Sequence, residues 1–153
     1  MPLRMGTPLP ELTGATEWIN GEVTREQLLG SPVLVHFFAK SCPICHDNMP
    51  TVAEWRDRYA ALGLKVVAIH MPREQSDTDL GAVRADIEAL GIKEPCAIDN
   101  LHIIGDRFEN QLWPAYYVFD AEGVMRGRAG GYAGLRMIEP ILKRVLGVEE
   151  VAV

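Results

Sequence analysis

The chain has 153 residues, 48% of them hydrophobic and 24% charged, which suits one soluble domain with a single core and leaves too little for two. A formal net charge of -6 disfavours non-specific attraction to nucleic acid or to an anionic membrane surface. No stretch approaches the roughly 20 apolar residues of a spanning helix, and the start, Met-Pro-Leu-Arg-Met-Gly-Thr-Pro, lacks the apolar run of a secretory leader. As it stands the sequence therefore reads as cytoplasmic, or as periplasmic or otherwise extracytoplasmic if a leader has been removed.

The first thirty residues, rich in Gly, Pro and Thr, form an N-terminal extension (1–30). Within it, Trp18 to Val23 carries an Asn-Gly turn signal between β-prone residues and predicts a short hairpin. Val33 to Phe38 is a nearly continuous apolar run, the pattern of a strand buried on both faces. Met49, Val52, Ala53, Tyr59 and Leu62 then recur at helical spacing, with Gly63 as a natural stop. Leu64 to His70 predicts a second buried strand. The segment 72–100 reads as an inserted loop, helix and strand, with Asp79 capping a helix whose apolar face is Leu80, Val83, Ile87 and Leu90. A short helix over Leu101–Phe108 follows, then strands at Ala115–Phe119 and Val124–Arg128 around the turn 120–123, and a final helix over Leu135–Leu146 that contains Pro140. Trp55 and Tyr59 are expected to pack, and Arg126 and Arg128 to alternate towards solvent. Strands alternating with amphipathic helices, then a hairpin and a closing helix, predict a single α/β domain over 1–153, its mixed sheet flanked by helices.

The chain has three cysteines, Cys42, Cys45 and Cys96, an odd number that is not a disulfide scaffold. Cys42 and Cys45 form a C-x-x-C delivered by a buried strand to the first turn of a helix. Unpaired N–H groups and the positive helix end there stabilise a thiolate at Cys42, the species that attacks a disulfide. Cys45, one turn on, then attacks the mixed disulfide and releases the product. Lys40 and His46 add positive charge nearby, and Pro43 removes a donor that a first helical turn can spare.

Phe37-Phe38-Ala39-Lys40-Ser41-Cys42-Pro43-Ile44-Cys45, with Pro50 five residues on, resembles the active-site strand and helix of the thioredoxin superfamily. Leu112-Trp113-Pro114-Ala115 resembles that family's cis-proline loop. The long gap from Cys45 to Pro114 is similar to TlpA/ResA-like redoxins. Trp18-Ile19-Asn20-Gly21, Ser41-Cys42 and Ala97-Ile98-Asp99-Asn100 most resemble the thioredoxin-like domain of DipZ-type proteins. The resemblance implies a thioredoxin-like fold and thiol–disulfide exchange without a cofactor. It implies Cys42 as nucleophile and Cys45 as resolving thiol, with Pro114 (cis), Trp113, Pro43 and Ile44 meeting the substrate. It further implies protein or small-molecule disulfides as substrates and an unidentified electron donor; the expected state is a monomer, and the charge argument above leaves out nucleic acid and membrane as partners. Two departures stand out: Ser41 replaces the usual tryptophan, and His36 occupies the place of a buried acid. His36 is a candidate proton relay to Cys45, against the alternative of a neutral core histidine bonded to backbone.

Other chemistries share these residues. Cys42-Pro-Ile-Cys45-His46 also spells the c-type haem attachment motif, with Met49 or Met71 as loose axial candidates. Cys42, Cys45 and His46, completed by His70 or His102, could serve copper or zinc. A peroxiredoxin-like thiol peroxidase is the nearest enzymatic alternative, although the usual Pro-x-x-x-Thr-x-x-Cys is absent upstream of Cys42. Cys96, after Pro95, reads as a small buried hydrophobe or a third redox group.

Overall fold

The computed structural model describes residues 3–148, so the first two residues of the extension and 149–153 lie outside the described part. Six strands form one sheet in the order β1-β4-β3-β2-β5-β6. At its centre is β2 (Val33–Phe38), every residue of which is buried, as its unbroken apolar run requires. On one side it pairs in parallel with β3 (Lys65–His70), which in turn pairs in parallel with β4 (Cys96–Ile98). On the other side it meets β5 (Ala115–Phe119) antiparallel, and β5 turns through Asp120–Gly123 into β6 (Met125–Gly130).

Because side chains alternate along β2, its two faces build separate cores. Val33, Val35 and Phe37 join Phe108, Tyr117 and Phe119 on one side, where Phe37, Phe108 and Tyr117 meet edge-on with centroids 5.1–5.6 Å apart. Leu34 and Phe38 face helix α2 (Pro43–Arg58) and its neighbours on the other side, with Trp55 and Tyr59 buried as packing residues. α3 (Leu80–Ala89) buries Val83 and Ile87, and its N-cap Asp79 accepts from Ala82 N–H at 3.3 Å. α4 (Ile103–Arg107) is short, and α5 (Gly134–Leu146), which includes Pro140, packs Ile138 and Leu142 against β5 and β6. Arg126 and Arg128 project outward from β6 between buried neighbours.

Two sequence expectations need correction. The Trp18–Val23 hairpin does not form. Asn20 and Gly21 do take positive φ, but Glu17–Ile19 (β1) pairs antiparallel with β4 in the inserted unit instead. The reason is the open edge of β4, and Asn20 Nδ2 anchors the segment beside it by donating to the carbonyls of Ile92 (2.9 Å) and Glu94 (3.1 Å) in the stretch that precedes β4. The residues after the turn form α1 (Arg25–Leu28), opened by a capping box between Thr24 and Gln27. Finally, α2 stops at Arg58 rather than at Gly63; a 3-10 turn over Ala60–Leu62 follows, so Leu62 is half exposed and leaves the core.

Candidate active site

β2 ends at Phe38, and α2 begins at Pro43, so the intervening turn hands the chain from the centre of the sheet to a helix N-terminus. Cys42 is the N-cap, and Pro43 opens the helix. The sulfurs of Cys42 and Cys45 lie at disulfide-bonding distance, with Cα atoms 5.3 Å apart. Cys45 N–H donates to Cys42 Sγ at 3.2 Å, so the Cys42 sulfur occupies the place a capping oxygen normally takes. A donor aimed at that sulfur favours negative charge on it when the pair is reduced. Both cysteines are buried, while Pro43 between them is exposed and Ile44 half-buried.

Trp113 is half-buried, packs against both the dithiol cluster and the opposite core, and precedes Pro114 through a cis bond. Its Nε1–H donates to Met71 O at 2.7 Å. Asn110 braces the same loop: its Nδ2 donates to Leu112 O at 2.9 Å, and its Oδ1 accepts from Tyr117 Oη at 2.9 Å. Gly131 N–H reaches Pro114 O at 2.8 Å, linking the loop to the end of β6. Beside Ile44 a cleft of about 360 Å³ runs between α2 and α5, lined by residues that include Asn48, Trp55, Tyr132 and Leu135.

His36 is not bonded to backbone. Its Nε2–H donates to Glu94 Oε2 at 2.6 Å, and Arg56 Nη1 donates to Glu94 Oε1 at 2.7 Å, so a histidine, a carboxylate and a guanidinium interlock in the interior. Burial pushes the Glu94 carboxyl up, but the two donors outweigh it and hold the group below its ordinary range. A polar residue inside Val33–Phe38 signals that a buried partner must exist; nothing in the sequence singles out Glu94 as that partner.

The other histidines are engaged away from the sulfurs. His46 Nε2–H donates to Asp86 Oδ2 (3.1 Å), which offsets the positive charge expected of it near the dithiol. His102 Nε2–H donates to Pro72 O (2.8 Å), and His70 Nε2 accepts Lys40 N–H (3.0 Å). Among the described residues no three His, Cys, Asp or Glu side chains are grouped to hold a metal ion. Cys96 is free, fully buried on β4 in the same apolar cluster as the dithiol, and burial pushes its thiol well up. A thiol in that state is a poor nucleophile.

Sequence reading also passed over Asp77, in what looked like a plain polar loop. It is fully buried, and its carboxylate accepts Ser41 N–H (3.0 Å), Ser41 Oγ–H (2.7 Å), Arg73 N–H (2.9 Å) and Glu74 N–H (3.3 Å).

Comparison with known proteins agrees with this geometry. Residues 5–128 match the AhpC/TSA family. The thiol-disulfide oxidoreductase YkuV of Bacillus subtilis is 45% identical over 149 residues, which is 97% of this chain and 100% of that protein. Protein DipZ of Mycobacterium tuberculosis is 32% identical over 141 residues, 90% of this chain but 20% of that longer protein, in keeping with the resemblance seen in the sequence. A solution structure of a thioredoxin-like protein in its oxidised form superposes with a TM-score of 0.87 at 45% identity, covering 96% of this chain and 100% of that one.

Proposed function

The chain belongs to the AhpC/TSA family, and on that premise we propose that its dithiol chemistry runs through Cys42 as attacking thiol and Cys45 as resolving thiol. The protein is a thiol–disulfide oxidoreductase of thioredoxin-like fold. The observation that carries the assignment of roles is the Cys45 N–H aimed at Cys42 Sγ at the opening of α2. Reduced Cys42 attacks one sulfur of a substrate disulfide as thiolate, and the other substrate sulfur leaves and takes a proton. Cys45, deprotonated in turn, attacks Cys42 in the mixed disulfide and expels the second substrate thiolate. Two electrons pass to the substrate, and Cys42–Cys45 is left oxidised.

Protein disulfides are the proposed substrates. Pro43, Ile44, Trp113 and the backbone around Pro114 would receive the partner's extended chain as an added strand. His36, coupled to Glu94 and Arg56 beneath α2, is the candidate to relay the Cys45 proton. The reductive direction supposes a reducing compartment, and a two-electron donor must then regenerate the dithiol. None of the described helices is long and apolar enough to cross a membrane.

The test is a trap. Cys45→Ser should retain partner proteins as mixed disulfides, whereas Cys42→Ser should retain none. Equal trapping by the two variants, or none by either, overturns the roles.

A further inference from the structure

The turn that carries the nucleophile is held by side chains from the end of β3 and from the start of the inserted unit. Lys40 and Ser41 are the two residues immediately before Cys42. The amide of Lys40 donates to His70 Nε2, and the amide of Ser41 donates to Asp77 Oδ1. The Ser41 hydroxyl also donates to Asp77, so both polar hydrogens of Ser41 are taken up by one carboxylate and neither is left for the neighbouring sulfur. Arg73 completes the latch by donating from Nη1 to Ser41 O at 3.2 Å. With four hydrogen bonds converging on it, Asp77 is held as an anion despite its burial.

We propose that Asp77 is a positioning residue which, acting through Ser41, disfavours the Cys42 thiolate and so keeps the dithiol–disulfide couple reducing. This deepens the reading above and rests on Cys42 being the attacking thiol. The sign follows from elementary electrostatics. A buried negative charge beside a thiol raises the cost of making a thiolate there. Destabilising the thiolate destabilises the reduced form, which lowers the potential. The other charged or titratable groups around the turn do not reverse this. Lys40 is half-buried and Arg73 exposed, so solvent and salt screen them. His46 is paired with the Asp86 carboxylate, burial keeps His70 uncharged at neutral pH, and Asp47 on α2 is exposed. Asp77 itself has no exposure to solvent, so its field is the least screened.

The experiment uses the full chain, its Asp77→Asn and Ser41→Ala variants, glutathione redox equilibration, and the pH dependence of alkylation by iodoacetamide with peptide mapping. Asp77→Asn removes the charge and should move the Cys42 alkylation midpoint to lower pH. It should also shift the equilibrium about tenfold towards the dithiol, a rise of ~30 mV. Ser41→Ala removes a donor from the carboxylate but leaves its charge, so the Cys42 midpoint should move to higher pH. A structural staple would not give opposite signs. Shifts of the two variants in the same direction overturn the proposal, as does an unchanged Cys42 midpoint in a folded Asp77→Asn. If Asp77→Asn does not fold, an unchanged or lowered midpoint in Ser41→Ala overturns it. First labelling at Cys45 in the parent chain instead overturns the assignment of Cys42, and this proposal with it.

Discussion

His36 and Glu94 come from distant parts of the chain, yet His36 Nε2 and Glu94 Oε2 lie 2.6 Å apart with both side chains almost wholly buried. The second oxygen of Glu94 takes Arg56 at 2.7 Å, which ties β2, α2 and the start of β4 into one charged knot. Removing one member of such a knot leaves the others buried and uncompensated, at a cost of about 3–5 kcal/mol. Glu94→Ala should therefore lower the unfolding free energy by roughly 3 kcal/mol, read from the midpoint of urea denaturation at unchanged slope. A loss below about 1 kcal/mol would mean that the knot is solvated in practice.

Acid should weaken the fold in two stages. Burial lowers the His70 pKa from 6.5 to about 4, so between those values the unfolded chain binds a proton that the folded chain refuses. Stability is then full above pH 6.5 and falls as the pH approaches 4, by up to roughly 3 kcal/mol. Glu94, whose folded pKa is lowered from 4.5, adds a second loss below that value as its carboxylate is protonated. His70→Gln keeps an acceptor for Lys40 N–H but cannot titrate. Stability measured from pH 7 to 4 should be flatter in this variant than in the parent, and parallel curves would refute the assignment.

The Asp79 side chain accepts from Ala82 N–H at 3.3 Å, which satisfies one of the otherwise unpaired donors of α3. Asp79 is exposed and takes no part in the dithiol. Asp79→Ala should cost about 1 kcal/mol and lower the melting temperature by a few degrees. The rate of disulfide reduction at a temperature well below melting should stay within twofold of the parent.

How much of this was legible in the sequence follows the range of the signals. The run Val33–Phe38 reads as a doubly buried strand, and the C-x-x-C a few residues after it, with Pro43 inside, reads as the opening of the next helix. The cap at Asp79 and the turn at Asp120–Gly123 are likewise written in neighbouring residues. Asn20 and Gly21 do take the positive φ that their residue types favour, but which strand pairs with Glu17–Ile19 depends on β4, some eighty residues away. Asp77 and Glu94 were invisible for the same reason. An acidic residue in a polar stretch looks solvated until folding places it against Ser41 or His36.

Gly130 shows how closely the end of β6 is fitted to the loop that faces the dithiol. A Cβ built there would lie 2.9 Å from Leu112 Cδ1 and 3.1 Å from the backbone oxygen of Pro114. The Leu112 side chain is half exposed and can swing away, but the Pro114 carbonyl is also held by Gly131 N–H and cannot yield without moving the loop. Gly130→Ala should therefore cost about 1–3 kcal/mol of stability. It should also slow reduction of a protein disulfide by roughly tenfold, since a displacement of about 1 Å in a positioning element can cost up to a hundredfold. The Cys42–Cys45 potential measured against glutathione should stay the same, because the latch around Ser41 and Asp77 is untouched. A changed potential with an unchanged rate would show that the Trp113–Pro114 loop acts on the sulfurs rather than on the substrate.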